Sequence, residues 1–298
     1  MKRPITAVLS AAVLLGVALA VPSASTADPA VTHHEFQANC TITHTASDDP
    51  IVHPGHTGMS HNHTFMGNRT TNAYSTTESL MAGTTSCRVP KDKSAYWVPT
   101  LTNGTTPILS TWHQTLYYKS GILDYAAVQP FPLGIRFVVG NMTATKDEFR
   151  TAPGAVEGWE CGESFHNWDF PAWCPAGTQL NIRYQAPSCW DGVHLDSADH
   201  KSHMAYPVNG ACTASHPVPV PMLEYKIAFP TDGNMAAVQL ASGRGYSWHY
   251  DFFNAWDPAT QAALVDHCIN GGLQCDARGF DLYKPGRGAA LNENYELP

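Results

Sequence analysis

Nucleophile motifs are absent from this chain: it has no G-x-S-x-G, no H-E-x-x-H and no P-loop, so serine-hydrolase, zincin and nucleotide-dependent chemistries lose their usual signatures. Clustered positive charge is missing too. Lys and Arg number 17 against 25 Asp and Glu, and past the N-terminus the basic side chains gather no further than Lys91 and Lys93. That argues against nucleic acid or an anionic membrane as partner. No apolar run after residue 21 approaches the roughly 20 residues that a membrane span needs. Sustained helical periodicity, internal repeats and, past residue 35, low-complexity linkers are lacking as well. What remains is one continuous domain of short strands and long ordered loops, punctuated by 22 Pro and 23 Gly.

The chain opens with Lys2 and Arg3, an apolar run from Ile5 to Val21 and the small residues Ser23 to Ala27, the layout of a secretory signal. Cleavage can follow Ala20 or Ala27, and the second is favoured. The expected organisation is a signal over 1–27, a flexible lead over 28–35 and a single secreted, extracellular domain over 36–298 with no membrane anchor. Eight cysteines in an exported chain read as up to four disulfides. Proximity in sequence favours Cys161 with Cys174, Cys189 with Cys212 and Cys268 with Cys275, leaving Cys40 with Cys87. Such bonding removes thiol catalysis, and the want of paired C-x₂-C motifs argues against a cysteine zinc site.

Strands are expected over 94–101, 108–118, 134–139, 179–185, 222–229 and 236–240; the alternation of Leu180, Ile182 and Tyr184 marks one buried face. One helix is expected, over 258–268, with Asp257 as N-cap, Pro258 at the first helical position and Gly271 and Gly272 beyond its end. The fold class that fits is all-β, a single sandwich-like domain with long disulfide-stapled loops and one short C-terminal helix.

Four segments concentrate titratable and aromatic residues. In D-D-P-I-V-H-P-G-H-T-G-M-S-H-N-H (48–63), His61 and His63 are two apart, so extended backbone sends both to one side, where two imidazoles share one metal or one substrate group. The spacing alone is a weak metal signal, and two histidines bonded to loop backbone is as good a reading. P-S-C-W-D-G-V-H-L-D (187–196) offers Trp190 as a flat face beside Asp191. D-H-K-S-H-M-A-Y-P (199–207) places His200 and His203 on one side only if it forms a helical turn. S-G-R-G-Y-S-W-H-Y-D-F-F-N-A-W (242–256) sets His249 and Asp251 two apart at an expected strand end, a pair suited to acid and base work or to completing a metal shell with His61 and His63. Its aromatics are core more often than sugar platform, though stacking on aromatic planes is what a carbohydrate site needs.

The order and wording of these segments resemble a secreted actinobacterial and fungal family catalogued mainly as a domain of unknown function. The matching pieces are Asp49 to Gly55 with Ser60, His61 and His63; Tyr96 to Leu101; Pro132 to Arg136; Ser188 to Gly192; Asp199 to Pro207; and His249 to Trp256, covering about residues 36–270. The resemblance implies that His61, His63, Asp191, His203, His249 and Asp251 belong to the family pattern, while His33, His34, His44, His53 and His56 do not. It carries no settled activity, and it is consistent with an extracellular polymer as partner.

The expected function is an enzyme acting on extracellular polysaccharide or cell-wall glycan, a glycoside hydrolase or polysaccharide lyase. Asp191, His249 and Asp251 are the catalytic candidates, with His61, His63, Trp190, His203, Tyr206 and Trp256 as the substrate-binding ones. The cofactor stays open, with a divalent metal on His61, His63 and His249 as the candidate. One alternative is a non-catalytic wall- or glycan-binding protein. A second is a copper or zinc protein of oxidative or hydrolytic type; a histidine-brace version needs trimming to His33 or His34, because neither cleavage site leaves an N-terminal histidine.

Overall fold

Period-two alternation is strongest at 179–185, and this segment forms a central strand in one of two antiparallel sheets that carry the fold. In the computed structural model the described residues are 33–297, apart from 163, 232, 284, 285, 287 and 288. The expected signal and most of the lead lie outside them. Eleven strands make the two sheets: β1 (Glu35–Cys40), β2 (Ile42–Ala46), β3 (His63–Gly67), β4 (Ala95–Pro99), β5 (Gln114–Lys119), β6 (Arg136–Gly140), β7 (Gly158–Cys161), β8 (Ser164–Asn167), β9 (Gln179–Gln185), β10 (Met222–Pro230) and β11 (His249–Phe253). Six of them run in the order β1-β5-β10-β9-β7-β8, and five in the order β2-β3-β4-β11-β6. The all-β expectation therefore holds.

The sheets face one another across an aromatic core. Leu180, Ile182 and Tyr184 of β9 lie opposite Phe229, Ile227 and Tyr225 of β10. From the five-stranded sheet, Tyr96, Phe137, Tyr250 and Phe252 join the same core. Tyr225 stacks on Tyr250 with ring centroids 3.8 Å apart, and each hydroxyl donates to the other sheet: Tyr225 to the Asp251 carbonyl at 2.9 Å, Tyr250 to that of Leu223 at 3.1 Å. Aromatic burial and satisfied hydroxyls thus fix the sheets' mutual register.

The five-stranded sheet is covered on its other face as well. There Phe65, Ala95, Trp97 and Phe253 pack with Ile51, Leu80 and Ala255 from the flanking loops and helix α1 (Thr77–Ala82). Each large apolar side chain so covered contributes about 1.5–3 kcal/mol. Consequently β3, β4 and β11 are buried at every position and show no alternation of exposure. Sequence reading found β4 through its aromatic run but missed β1, β2, β3, β7 and β8.

Two further short helices were not anticipated, α1 and α2 (Lys146–Thr151), each opened by a capping box, Thr76 with Ser79 and Thr145 with Glu148. The C-terminal helix α3 (Pro258–Leu264) has the expected cap, Asp257 accepting from the Thr260 amide. It then widens into a π turn, Val265–Asn270, which carries Cys268. All four disulfides join the pairs that proximity favoured: Cys40–Cys87, Cys161–Cys174, Cys189–Cys212 and Cys268–Cys275. Residues 33–35, placed by sequence in a flexible lead, are tied down. The Gln274 side chain donates to the His33 carbonyl, and the Glu35 amide donates to that of Leu273. Among the described residues no helix is long and apolar enough to cross a membrane.

Candidate metal centre

Strand register brings the histidines together. His63 opens β3 opposite Pro99 of β4. On the far side of β4, Asp251 pairs with Trp97, so His249, two residues earlier, comes level with Pro99. Period two then sends His63, His249 and Asp251 to the outer face, the one that also carries Phe65, Trp97 and Phe253. His61 lies two residues before His63 in the preceding loop. The three imidazoles stand with centroids 4.3 Å (His61 to His63), 5.0 Å (His61 to His249) and 5.9 Å (His63 to His249) apart, and one ligand atom from each lies within 4.8 Å of the others. A second set, Asp49, His63 and Asp251, meets the same 4.8 Å limit and shares His63 with the first.

The loop over 48–62 closes this face, and its two leading aspartates hold it. Asp49 Oδ1 accepts from the amides of Ile51 and Val52, both at 2.9 Å. Asp48 accepts from the amides of Gly58 at 3.1 Å and Ala73 at 3.3 Å. The Asp48 carbonyl also receives His63 Nδ1 at 3.0 Å, as the Ser247 carbonyl receives His249 Nδ1 at 3.0 Å. A carbonyl accepts only, so Nδ1 carries the proton on both rings and each Nε2 presents its lone pair. This is the orientation that backbone carbonyls impose on metal-ligating histidines. His61 Nε2, His63 Nε2 and both carboxylate oxygens of Asp251 are buried with no hydrogen-bond partner.

Burial dominates the electrostatics. It pushes His61 down to about 4 and His249 to about 3, and His63 falls well below its ordinary value. All three imidazoles are therefore neutral and ready to coordinate at neutral pH. Burial likewise raises Asp251 well above the carboxylate range, with the charge of Asp49 adding to it, and raises Asp49 itself. Asp49 is satisfied in part by the Ile51 and Val52 amides, whereas the Asp251 oxygens and the ring nitrogens of His61 and His63 that face them have no hydrogen-bond partner among the described residues, a set of acceptors whose burial is costly and which a cation would suit.

A cavity of about 280 Å³ opens on this cluster, lined by His61, His249, Asp49 and Asp251 together with His53, Met59, Met142 and Lys201. The Lys201 ammonium donates to the Gly140 carbonyl at 2.5 Å.

The sequence-derived site does not converge as a whole. Asp191 and His203 line a different hollow, with His194, Asp196, Ser197, Ala198 and Ser202, and it shares no residue with the cavity of the histidine cluster. Asp191 is a turn residue. Its small burial cost is outweighed by hydrogen bonds from the His194 amide and ring and the Val193 amide, which hold it down at about 2. Trp190 stays beside that loop, its indole N–H donating to the His194 carbonyl at 2.7 Å. His200 and His203 do not share a side: His200 adopts φ +57° and lines the cluster's cavity, while His203 turns to Ser197.

Trp256, expected to bind substrate, is a core residue, 1% exposed, with its indole N–H donating to the Tyr118 hydroxyl at 3.0 Å. Tyr206 lines a third hollow of about 340 Å³, beside Phe149 and Tyr184. Sequence reasoning passed over Asp49 and Lys201 as site residues and set His53 aside. Asp49 had a usable signal, since a carboxylate opening D-P-I-V at the head of a histidine-rich loop both forms the turn and faces the histidines. Lys201 had none, because only the tertiary fold carries its segment to β6.

No curated protein and no solved structure matches the chain. The model of one protein family does, over residues 49–256, from the turn aspartate facing the cluster to the core tryptophan that follows β11. That segment holds all three histidines and both carboxylates and spans more than half of the sequence. The chain belongs to this family, a domain of unknown function, DUF1996.

Proposed function

We propose that this chain is an exported metalloenzyme of the copper or zinc kind, oxidative or hydrolytic, acting on an extracellular polysaccharide. The observation that carries the reading is the convergence of His61, His63 and His249 within 4.8 Å, beside an Asp251 carboxylate with no hydrogen-bond partner among the described residues. Three imidazoles with an adjoining carboxylate suit zinc and copper rather than magnesium or calcium, which demand oxygen ligands. When bound, such an ion supplies Lewis acidity or one-electron chemistry at the cavity floor.

The chain's own groups have separate tasks. The Asp48 and Ser247 carbonyls fix the rings of His63 and His249. Asp251 is placed to accept a proton at a carboxylate oxygen, and Lys201, whose charge bears on Asp251, favours its ionised form. A two-carboxylate glycosidase built on Asp191 and Asp251 is disfavoured, since the two line separate hollows rather than one cleft. A binding module built on the aromatics of 242–256 is disfavoured because Tyr250, Phe252, Phe253 and Trp256 are all buried.

The test is metal analysis of the secreted protein before and after chelation, followed by a screen of neutral and acidic polysaccharides with the stripped and reloaded forms. One ion per chain is expected in the wild type and none in His249→Ala, with polysaccharide turnover only in the reloaded wild type. Failure of the wild type to hold an ion in stoichiometric amount sinks the proposal.

A further inference from the structure

Seven of the eight methionines fall among the described residues. Met66, Met204, Met222 and Met235 are buried, and Met81 is partly so and packs on the second core cluster. Only two are exposed, Met59 at 64% and Met142 at 49%. Both line the cavity that His61 and His249 also line, although they come from segments more than 80 residues apart in sequence, one in the loop before β3 and the other just after β6. Local composition therefore does not account for their meeting. A further imidazole, that of His53, lines the same cavity, and the His53 amide is anchored to the Asp49 carbonyl at 3.0 Å.

Thioether sulfur is a soft, weak ligand. It adds little to the binding of zinc, manganese or magnesium, and it favours monovalent copper. Imidazole serves copper equally well. The methionine side chain turns about three bonds, so sulfurs at the mouth can move toward an ion held by the rings below. An apolar rim, by contrast, needs no sulfur, and leucine supplies it with less conformational freedom.

We infer that the ion this centre takes up is copper, bound as Cu(I) with sulfur from Met59 and Met142 completing the coordination offered by the histidines. The inference rests on the metal-centre reading and narrows it to one element and one oxidation state. The binding step transfers no electron.

The full secreted chain, stripped with chelator, is titrated anaerobically with Cu(I) against a competing chromogenic ligand, and separately with Zn(II). Wild type is compared with Met59→Leu/Met142→Leu and with His249→Ala, and X-ray absorption is recorded on the Cu(I)-loaded wild type. The double variant keeps the apolar surface and should lose at least tenfold in Cu(I) affinity while its Zn(II) affinity stays within twofold; His249→Ala should lose both ions. Copper–sulfur scattering should be present in the wild type. Unchanged Cu(I) affinity in the double variant, or a spectrum without sulfur, overturns the copper assignment and leaves the metal centre standing. A wild type that binds neither ion overturns both.

Discussion

Asp92 gives the sharpest test of the physical reasoning, because its effect on stability is independent of any ligand. The carboxyl is wholly buried beneath the join between β4 and the segment after β11. It accepts from the Ser94 amide at 3.0 Å and the Tyr96 hydroxyl at 2.7 Å. Tyr96 continues to Tyr118 at 2.7 Å, and Tyr118 receives the Trp256 indole. Tyr96 and Tyr118, whose hydroxyls burial keeps neutral throughout, face the carboxyl, and Lys93 is the cation that acts on it. Burial outweighs these partners and lifts Asp92 from 3.8 to about 7.

The folded state therefore binds a proton that the unfolded state releases above about pH 4. Its stabilising contribution is complete below that pH and is lost as pH rises toward 7. Over roughly three pH units at ~1.4 kcal/mol each, the loss is on the order of 4 kcal/mol. Asp92→Asn is nearly isosteric and cannot ionise; its amide nitrogen takes the place of the protonated oxygen, and the Tyr96 hydroxyl turns to accept. Urea unfolding of both proteins, disulfides intact, should show the variant's stability relative to wild type rising by several kcal/mol between about pH 4.5 and about pH 8.5. The comparison cancels every other titrating group. A difference that stays flat across that range refutes the reasoning.

The Cys40–Cys87 disulfide spans 47 residues and Cys268–Cys275 only 7, so chain entropy assigns about 4 kcal/mol to the first and about 2 kcal/mol to the second. Paired alanine variants compared by urea unfolding should rank in that order, and a reversed ranking defeats the entropic account. Gly140 adopts φ +89°, and a Cβ there would sit 2.6 Å from the Trp248 carbonyl oxygen and 2.9 Å from the His249 Cα. Gly140→Ala should accordingly cost on the order of 1–3 kcal/mol and displace His249. A variant with wild-type metal affinity would show that this contact does not position the ring.

Legibility followed the number of buried faces. The strand 179–185 alternates because only its Leu180, Ile182 and Tyr184 face is buried, and the sequence bounds coincide with the observed ones. Strands β3 and β11 lie in a sheet covered on both sides, so polarity carries no period there; β3, which combines His63, Thr64, Phe65 and Met66 at full burial, could not be recognised. The spacing of His61 with His63 and of His249 with Asp251 was readable, because period two is a property of extended backbone whatever covers it. What failed was the step from shared residue type to shared place. Asp191, His203 and Trp256 have the right chemistry, but whether a loop folds over one end of the sheet or another is decided by long-range pairing that local sequence does not encode.

The placement of the centre on the outer face has a reason in the loop that covers it. A sheet edge-on to solvent with His63, His249 and Asp251 exposed would leave those groups hydrated and the imidazoles near their ordinary basicity. The loop over 48–62 removes that water, yet it holds itself in place with the Asp48 and Asp49 side chains rather than with apolar packing alone. The Asp48 carbonyl then fixes His63, and Asp49 adds its buried charge beside Asp251. One dipeptide thus closes the loop, orients a ligand ring and raises the cost of leaving Asp251 unpaired. Asp48 and Asp49 are satisfied by the amides they cap, whereas both Asp251 oxygens lack a hydrogen-bond partner among the described residues, so the loop that closes this face leaves Asp251 with a desolvation cost that no donor offsets.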